Sequence, residues 1–109
     1  MLVYIMKLEK LVRDKIPTII ETRGDVAKTR HLSDDEEFLD ALKVKLQEEV
    51  SEFLADDSLD ELADILEVIH GILLAKGVNF PELERIRASK HAERGGFEGR
   101  VFLESTNGG

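Results

Sequence analysis

The stretch LQEEVSEFLADDSLDELADILEVI, Leu46 to Ile69, sets carboxylates into what otherwise reads as the apolar faces of two consecutive helices. Burying an ionised carboxylate without a partner is costly, so acids in such positions need a compensating charge. At about 100° per residue, Leu39, Leu42, Leu46, Val50 and Phe53 form one apolar stripe, and Glu49 falls only roughly 45° from its centre. Glu52, three residues on, lies beside Glu49 at the edge of the stripe, whereas Glu48 points about 145° away, toward solvent.

The second helix of the stretch is apolar around most of its circumference. Leu59, Leu62, Ile65, Leu66, Ile69, Ile72 and Leu73 form one face, which Val68 and Ala75 extend. Such breadth predicts packing on two sides, in a bundle or a dimer core. Glu61 and Asp64 border this face in line with Val68. The short ADDS turn makes the two helices antiparallel neighbours, so the Glu49/Glu52 and Glu61/Asp64 pairs are expected to share one pocket. Converging carboxylates repel unless a cation holds them. An oxygen-only donor set favours Mg²⁺, with Mn²⁺ as the alternative, over zinc, which takes His or Cys. Ions of this kind also bridge to phosphate oxygens.

Length and charge agree with this reading. The chain of 109 residues has the size of a single domain with one modest core, which a helical chain often completes by oligomerising. It contains no cysteine, which excludes disulfides, thiolate metal sites and a cysteine nucleophile. The net charge is −8, and residues 34–64 alone hold 13 acidic side chains against Lys43 and Lys45. That acidity argues against a nucleic-acid partner, whose affinity rests on phosphate neutralisation, and invites cations. The apolar MLVYIM opening is shorter than a signal or membrane segment, so a soluble, cytoplasmic protein is expected. No Walker loop or nucleophile elbow occurs, and His31, His70 and His91 lack ligand spacing.

Four helices are predicted. LVRDKIPTIIETRG carries Asp14 as cap, Pro17 in the first turn and Gly24 as stop. Ser33 with Glu36 forms a capping box opening a helix to about Ala55, and Ser58 with Glu61 opens another to Lys76, before Gly77. The last helix enters through Asn79 and Pro81 and stops at Gly95 and Gly96. LVYIMKLE and FEGRVFLE read as extended, and residues 105–109 as a frayed tail. Glu61 is open to two roles, cap partner of Ser58 or ligand.

The EEVSE and ELAD segments resemble the EExxE…ExxD signature of the all-alpha nucleoside triphosphate pyrophosphohydrolases, the MazG-like superfamily. The terminal KLVRDKIP and KHAERGGFEGRVFLE resemble its phosphoribosyl-ATP pyrophosphohydrolase-like branch. Eight residues separate Glu52 from Glu61, a shorter link than the superfamily usually shows. The resemblance implies an all-α fold, built on an antiparallel hairpin and completed to a four-helix core by homodimerisation or higher assembly. It implies Glu49, Glu52, Glu61 and Asp64 as Mg²⁺ ligands, and Arg13, Lys15, Lys90 and Arg94 as contacts to a nucleotide substrate. The implied reaction splits a nucleoside triphosphate between the α and β phosphates, giving monophosphate and pyrophosphate, with removal of non-canonical nucleotides as a role. Glu48, or an inward Glu such as Glu49, is the candidate base. Two other readings stay open: phosphoribosyl-ATP hydrolysis in histidine synthesis, and a non-enzymatic helical interaction module stabilised by metal.

Overall fold

The computed structural model describes residues 8–108, which fold as four α-helices with no β-strand among them. They are α1 (Ile16–Thr22), α2 (Asp35–Asp56), α3 (Leu59–Lys76) and α4 (Phe80–Arg94). The chain divides between Gly77 and Val78 into two compact units. None of the helices is long and apolar enough to cross a membrane.

In the first unit α2 and α3 pack along one another. The link between them is two residues long. Asp57 ends α2 in the left-handed region at φ 53°, where its N–H donates to the Phe53 carbonyl at 2.7 Å. Ser58 then caps α3, its Oγ accepting the Glu61 N–H at 3.3 Å. At the far end Gly77 takes φ 69° and closes α3.

Leu42, Val68 and Leu73 are the buried apolar side chains of the described residues. Gly71 of α3 faces Leu42 so closely that a Cβ there would stand 2.7 Å from Leu42 Cδ2. The missing side chain at 71 thus sets the approach of the two helices. Of the expected α2 stripe, Leu39, Leu46 and Phe53 are half-buried and Val50 is exposed. On α3 the weighting inverts: Val68 is buried, while Leu59, Leu62 and Leu66 are exposed. The cause is that α2 covers the Val68 side, the one that Glu61 and Asp64 share by their spacing along the helix.

Several boundaries differ from expectation, each for a local reason. Asp34, not Ser33, caps α2, its Oδ1 accepting the Glu36 N–H at 3.3 Å. Both residue types cap well, and Asp34 adds a negative charge at the positive end of the helix. Asp14 does not cap α1; Lys15 holds that position without a side-chain bond. A cap at Asp14 would need the N–H of Ile16 or residue 17, but Ile16 already donates to the Arg13 carbonyl at 3.0 Å and Pro17 has no N–H. The expected extended segment at residues 2–9 lies outside the described residues up to residue 7, and Leu8 and Glu9 form no strand.

The second unit consists of α4 and the residues after it. Asn79 caps α4 as expected, Oδ1 accepting the Glu82 N–H at 2.9 Å, and Gly95 follows the last turn at φ 82°. The expected extended run at 97–104 begins as a turn instead, with the Arg100 N–H donating to the Phe97 carbonyl at 3.0 Å. A single extended segment has no ladder to complete here, so nothing holds it straight. Residues 105–108 carry no regular structure.

Leu42→Ala should destabilise the protein by about 2–5 kcal/mol, because it would leave a cavity where α2 packs against Gly71 of α3. Ser58→Ala should cost about 1 kcal/mol through the lost cap. Urea titrations followed by circular dichroism would measure both, and equal effects would contradict this account of the core.

A carboxylate cluster between α2 and α3

Glu49 is the one buried charged residue of the described chain, only 6% exposed. It lies seven residues after Leu42 and three after Leu46, so the stripe that carries α2 onto α3 takes it inside. Glu61 and Asp64 approach it from the first turns of α3. One carboxylate oxygen from each of Glu49, Glu61 and Asp64 lies within 4.8 Å of the others. Glu61 and Asp64 are both half-buried.

The hydrogen bonding of this cluster is incomplete. Glu49 Oε2 and Glu61 Oε2 are buried and have no hydrogen-bond partner. Glu61 takes part in the cap and in the cluster through different groups. Its backbone N–H serves the Ser58 cap, and its carboxylate enters the cluster. Asp64 Oδ1 accepts from Arg13 Nη2 at 2.6 Å, a partly exposed ion pair.

Lys45 is the basic residue that the sequence reading passed over. Its Nζ stands 3.3 Å from Glu49 Oε1 and 3.6 Å from Glu48 Oε1. The signal was present in the spacing, since Lys45 precedes Glu48 and Glu49 by three and four residues on one helix. Glu48 is also 3.6 Å from Lys10 Nζ, so it is half-buried between two ammonium groups and does not project freely into solvent.

Burial pushes the Glu49 carboxyl above its usual range. Lys45 opposes the rise, while neighbouring Glu52 adds to it. Glu52 itself is exposed and stands outside the three-oxygen group. The structure therefore brings together three of the four expected ligands and leaves the fourth beside them.

The expected phosphate contacts fall in different places. Arg13 is engaged with Asp64, and Lys15 is exposed at the start of α1. Lys90 and Arg94, both exposed on α4, line an open depression with Arg87, His91 and Phe97 in the second unit. Arg87 in turn pairs with Glu84 through two hydrogen bonds at 2.6 and 2.9 Å.

Oxygen donors alone, two of them buried and unpartnered, suit a hard divalent cation. The residues present thus fit Mg²⁺ or Mn²⁺ on their own chemistry.

No protein-family model matches the chain, and no solved structure does. A protein of Mycolicibacterium smegmatis, described as uncharacterized, is 47% identical over 53 residues, which make up 49% of this chain and 53% of that protein. The chain therefore spans about half the length of this relative.

Because the folded state holds the Glu49 proton more tightly than the unfolded chain does, stability is lost as pH rises through the carboxylate range and the raised Glu49 value. With no divalent cation added, Glu49→Gln should consequently melt higher than the parent protein at pH 7–8. The advantage should fade as the pH falls below the ordinary carboxylate range, where the parent side chain also becomes neutral. Thermal denaturation across that range would measure the difference, and a lower melting temperature for the variant at pH 7–8 would contradict the assignment.

Proposed function

We propose that this chain is a divalent-cation-dependent nucleotide pyrophosphohydrolase of the MazG-like, all-alpha type. It cleaves a nucleoside triphosphate between the α and β phosphates to yield monophosphate and pyrophosphate, within the cytoplasmic nucleotide pool. The observation that carries this reading is the meeting of Glu49, Glu61 and Asp64 with two buried carboxylate oxygens unpartnered.

Glu49, Glu61 and Asp64 would hold Mg²⁺ or Mn²⁺, which when bound screens phosphate charge and polarises the anhydride. The protein's own groups then divide the remaining work. Glu49 is fixed by the helix pair and holds its carboxyl group inside the fold. Glu48 already faces Lys10 and Lys45. Glu52, exposed beside Glu49 and without an ion pair among the described residues, is the acid more open to take a proton from water. Arg13, close to the cluster through Asp64, is placed to meet phosphate oxygens there. Lys15, in the same unit as the cluster, offers further positive charge to the nucleotide.

The same reading includes an antiparallel α2–α3 hairpin that pairs with a second copy into a four-helix core. Leu42 opposite Gly71, and Glu49 opposite Glu61 and Asp64, follow an antiparallel register. Leu59, Leu62 and Leu66, three and four residues apart and exposed, supply the apolar stripe for the second copy.

The test is a panel of canonical, deoxy and oxidised nucleoside triphosphates, with phosphoribosyl-ATP included, assayed with Mg²⁺ for monophosphate and pyrophosphate. Glu49→Gln should lose both turnover and Mn²⁺ binding. Glu52→Gln should retain Mn²⁺ binding while turnover falls by about 10²-fold or more. A wild-type protein inert on the whole panel would remove the enzymatic reading, and a fully active Glu52→Gln would remove Glu52 as proton acceptor.

A further inference from the structure

Lys45 occupies an unusual place for an ammonium group. Its side chain is only 18% exposed, and its Nζ bridges Glu48 and Glu49 at 3.6 and 3.3 Å. It reaches one oxygen of the Glu49 carboxylate, and the other oxygen is buried and unpartnered. A divalent cation taken up by Glu49, Glu61 and Asp64 would share a carboxylate with Lys45 and be repelled by it at close range.

The ammonium also has somewhere to go. Lys45 and Glu48 also border a small cavity of about 130 Å³, whose other lining residues are Glu9, Lys10, Leu11, Ala41 and Val44. A swing toward Glu48 would keep one carboxylate partner while releasing Glu49.

We propose that Lys45 is a built-in counter-ion of the cluster, competing with a divalent cation for Glu49 and thereby setting the cation affinity of the site. This rests on the reading of Glu49, Glu61 and Asp64 as cation ligands. In the absence of such a cation, Lys45 limits the repulsion that would otherwise splay the helix pair. When one binds, Lys45 yields Glu49 and presents its charge toward the anions that accompany the cation. The residue therefore positions Glu49 and tunes the site, without itself being a ligand.

Mn²⁺ binding to the full chain at pH 8 would be measured by isothermal titration calorimetry. Lys45→Met should bind Mn²⁺ about tenfold more tightly than the parent protein. Lys45→Arg, which keeps the charge, should stay near the parent affinity, as a merely structural role for the alkyl chain would not require. Lys45→Gln removes the charge with a polar head in place and should also tighten binding, so loss of fold in the Met variant would not end the test. Binding that Glu49→Gln abolishes, but that folded Lys45→Met or Lys45→Gln leaves unchanged or weakens, would overturn this inference alone. Absence of Mn²⁺ binding in the parent protein and all variants would overturn the cation reading, and this inference with it.

Discussion

The arrangement depends on one costly act, the burial of the Glu49 carboxylate where α2 meets α3. Half of that carboxylate leans on Lys45 and half has no partner. In the same contact only Leu42, Val68 and Leu73 are buried apolar side chains, each contributing roughly 1.5–3 kcal/mol. An incompletely satisfied buried charge is of comparable size and opposite sign. The helix pair thus gives up a substantial part of its own stability to hold an acid in place. Such a conflict between local chemistry and fold stability is the mark of a functional position.

The site and the core are one interface, which explains why the sequence is informative about both. Val68 goes inside because α2 covers its side of α3, and Glu61 and Asp64 go with it because they are seven and four residues earlier on the same helix. A residue that shifted the register of α2 against α3 would therefore displace the carboxylates and the core together. The close approach at Gly71 and Leu42 pins that register about two to three turns away from the carboxylates.

What could be read in advance follows from the range of the forces involved. Caps supplied by Ser58, Asn79 and Gly77 are local, and the residue type alone identifies them. The inward tilt of Glu49 is a matter of helical period and was equally legible. Competition between neighbours was not: Ser33 and Asp34 are both good caps, and the outcome depends on how the chain enters α2. Asp14 failed as a cap because one candidate N–H was taken and the other absent, a consequence of Pro17 that residue-type preferences do not weigh. The covered side of α3 could not be chosen from an almost uniformly apolar helix. Glu52 shows the limit of reading ligands from spacing, since being three residues from Glu49 puts it next to the cluster without putting it in the three-oxygen group.

Charge balance carries the argument one step further. Around the cluster stand five carboxylates, Glu48, Glu49, Glu52, Glu61 and Asp64, and three bases paired with them, Lys10, Arg13 and Lys45. With every group ionised this leaves two negative charges, the amount one divalent cation neutralises. A second dication would make the site positive unless an anion arrived with it, and a polyphosphate is an anion of that kind. In the proposed reading the protein alone is therefore matched to one ion, and a nucleotide supplies the charge needed for any further one. The three bases are what keep the count this low. Without them Glu49, Glu61 and Asp64 would meet between the two helices with no positive charge beside them to offset their repulsion.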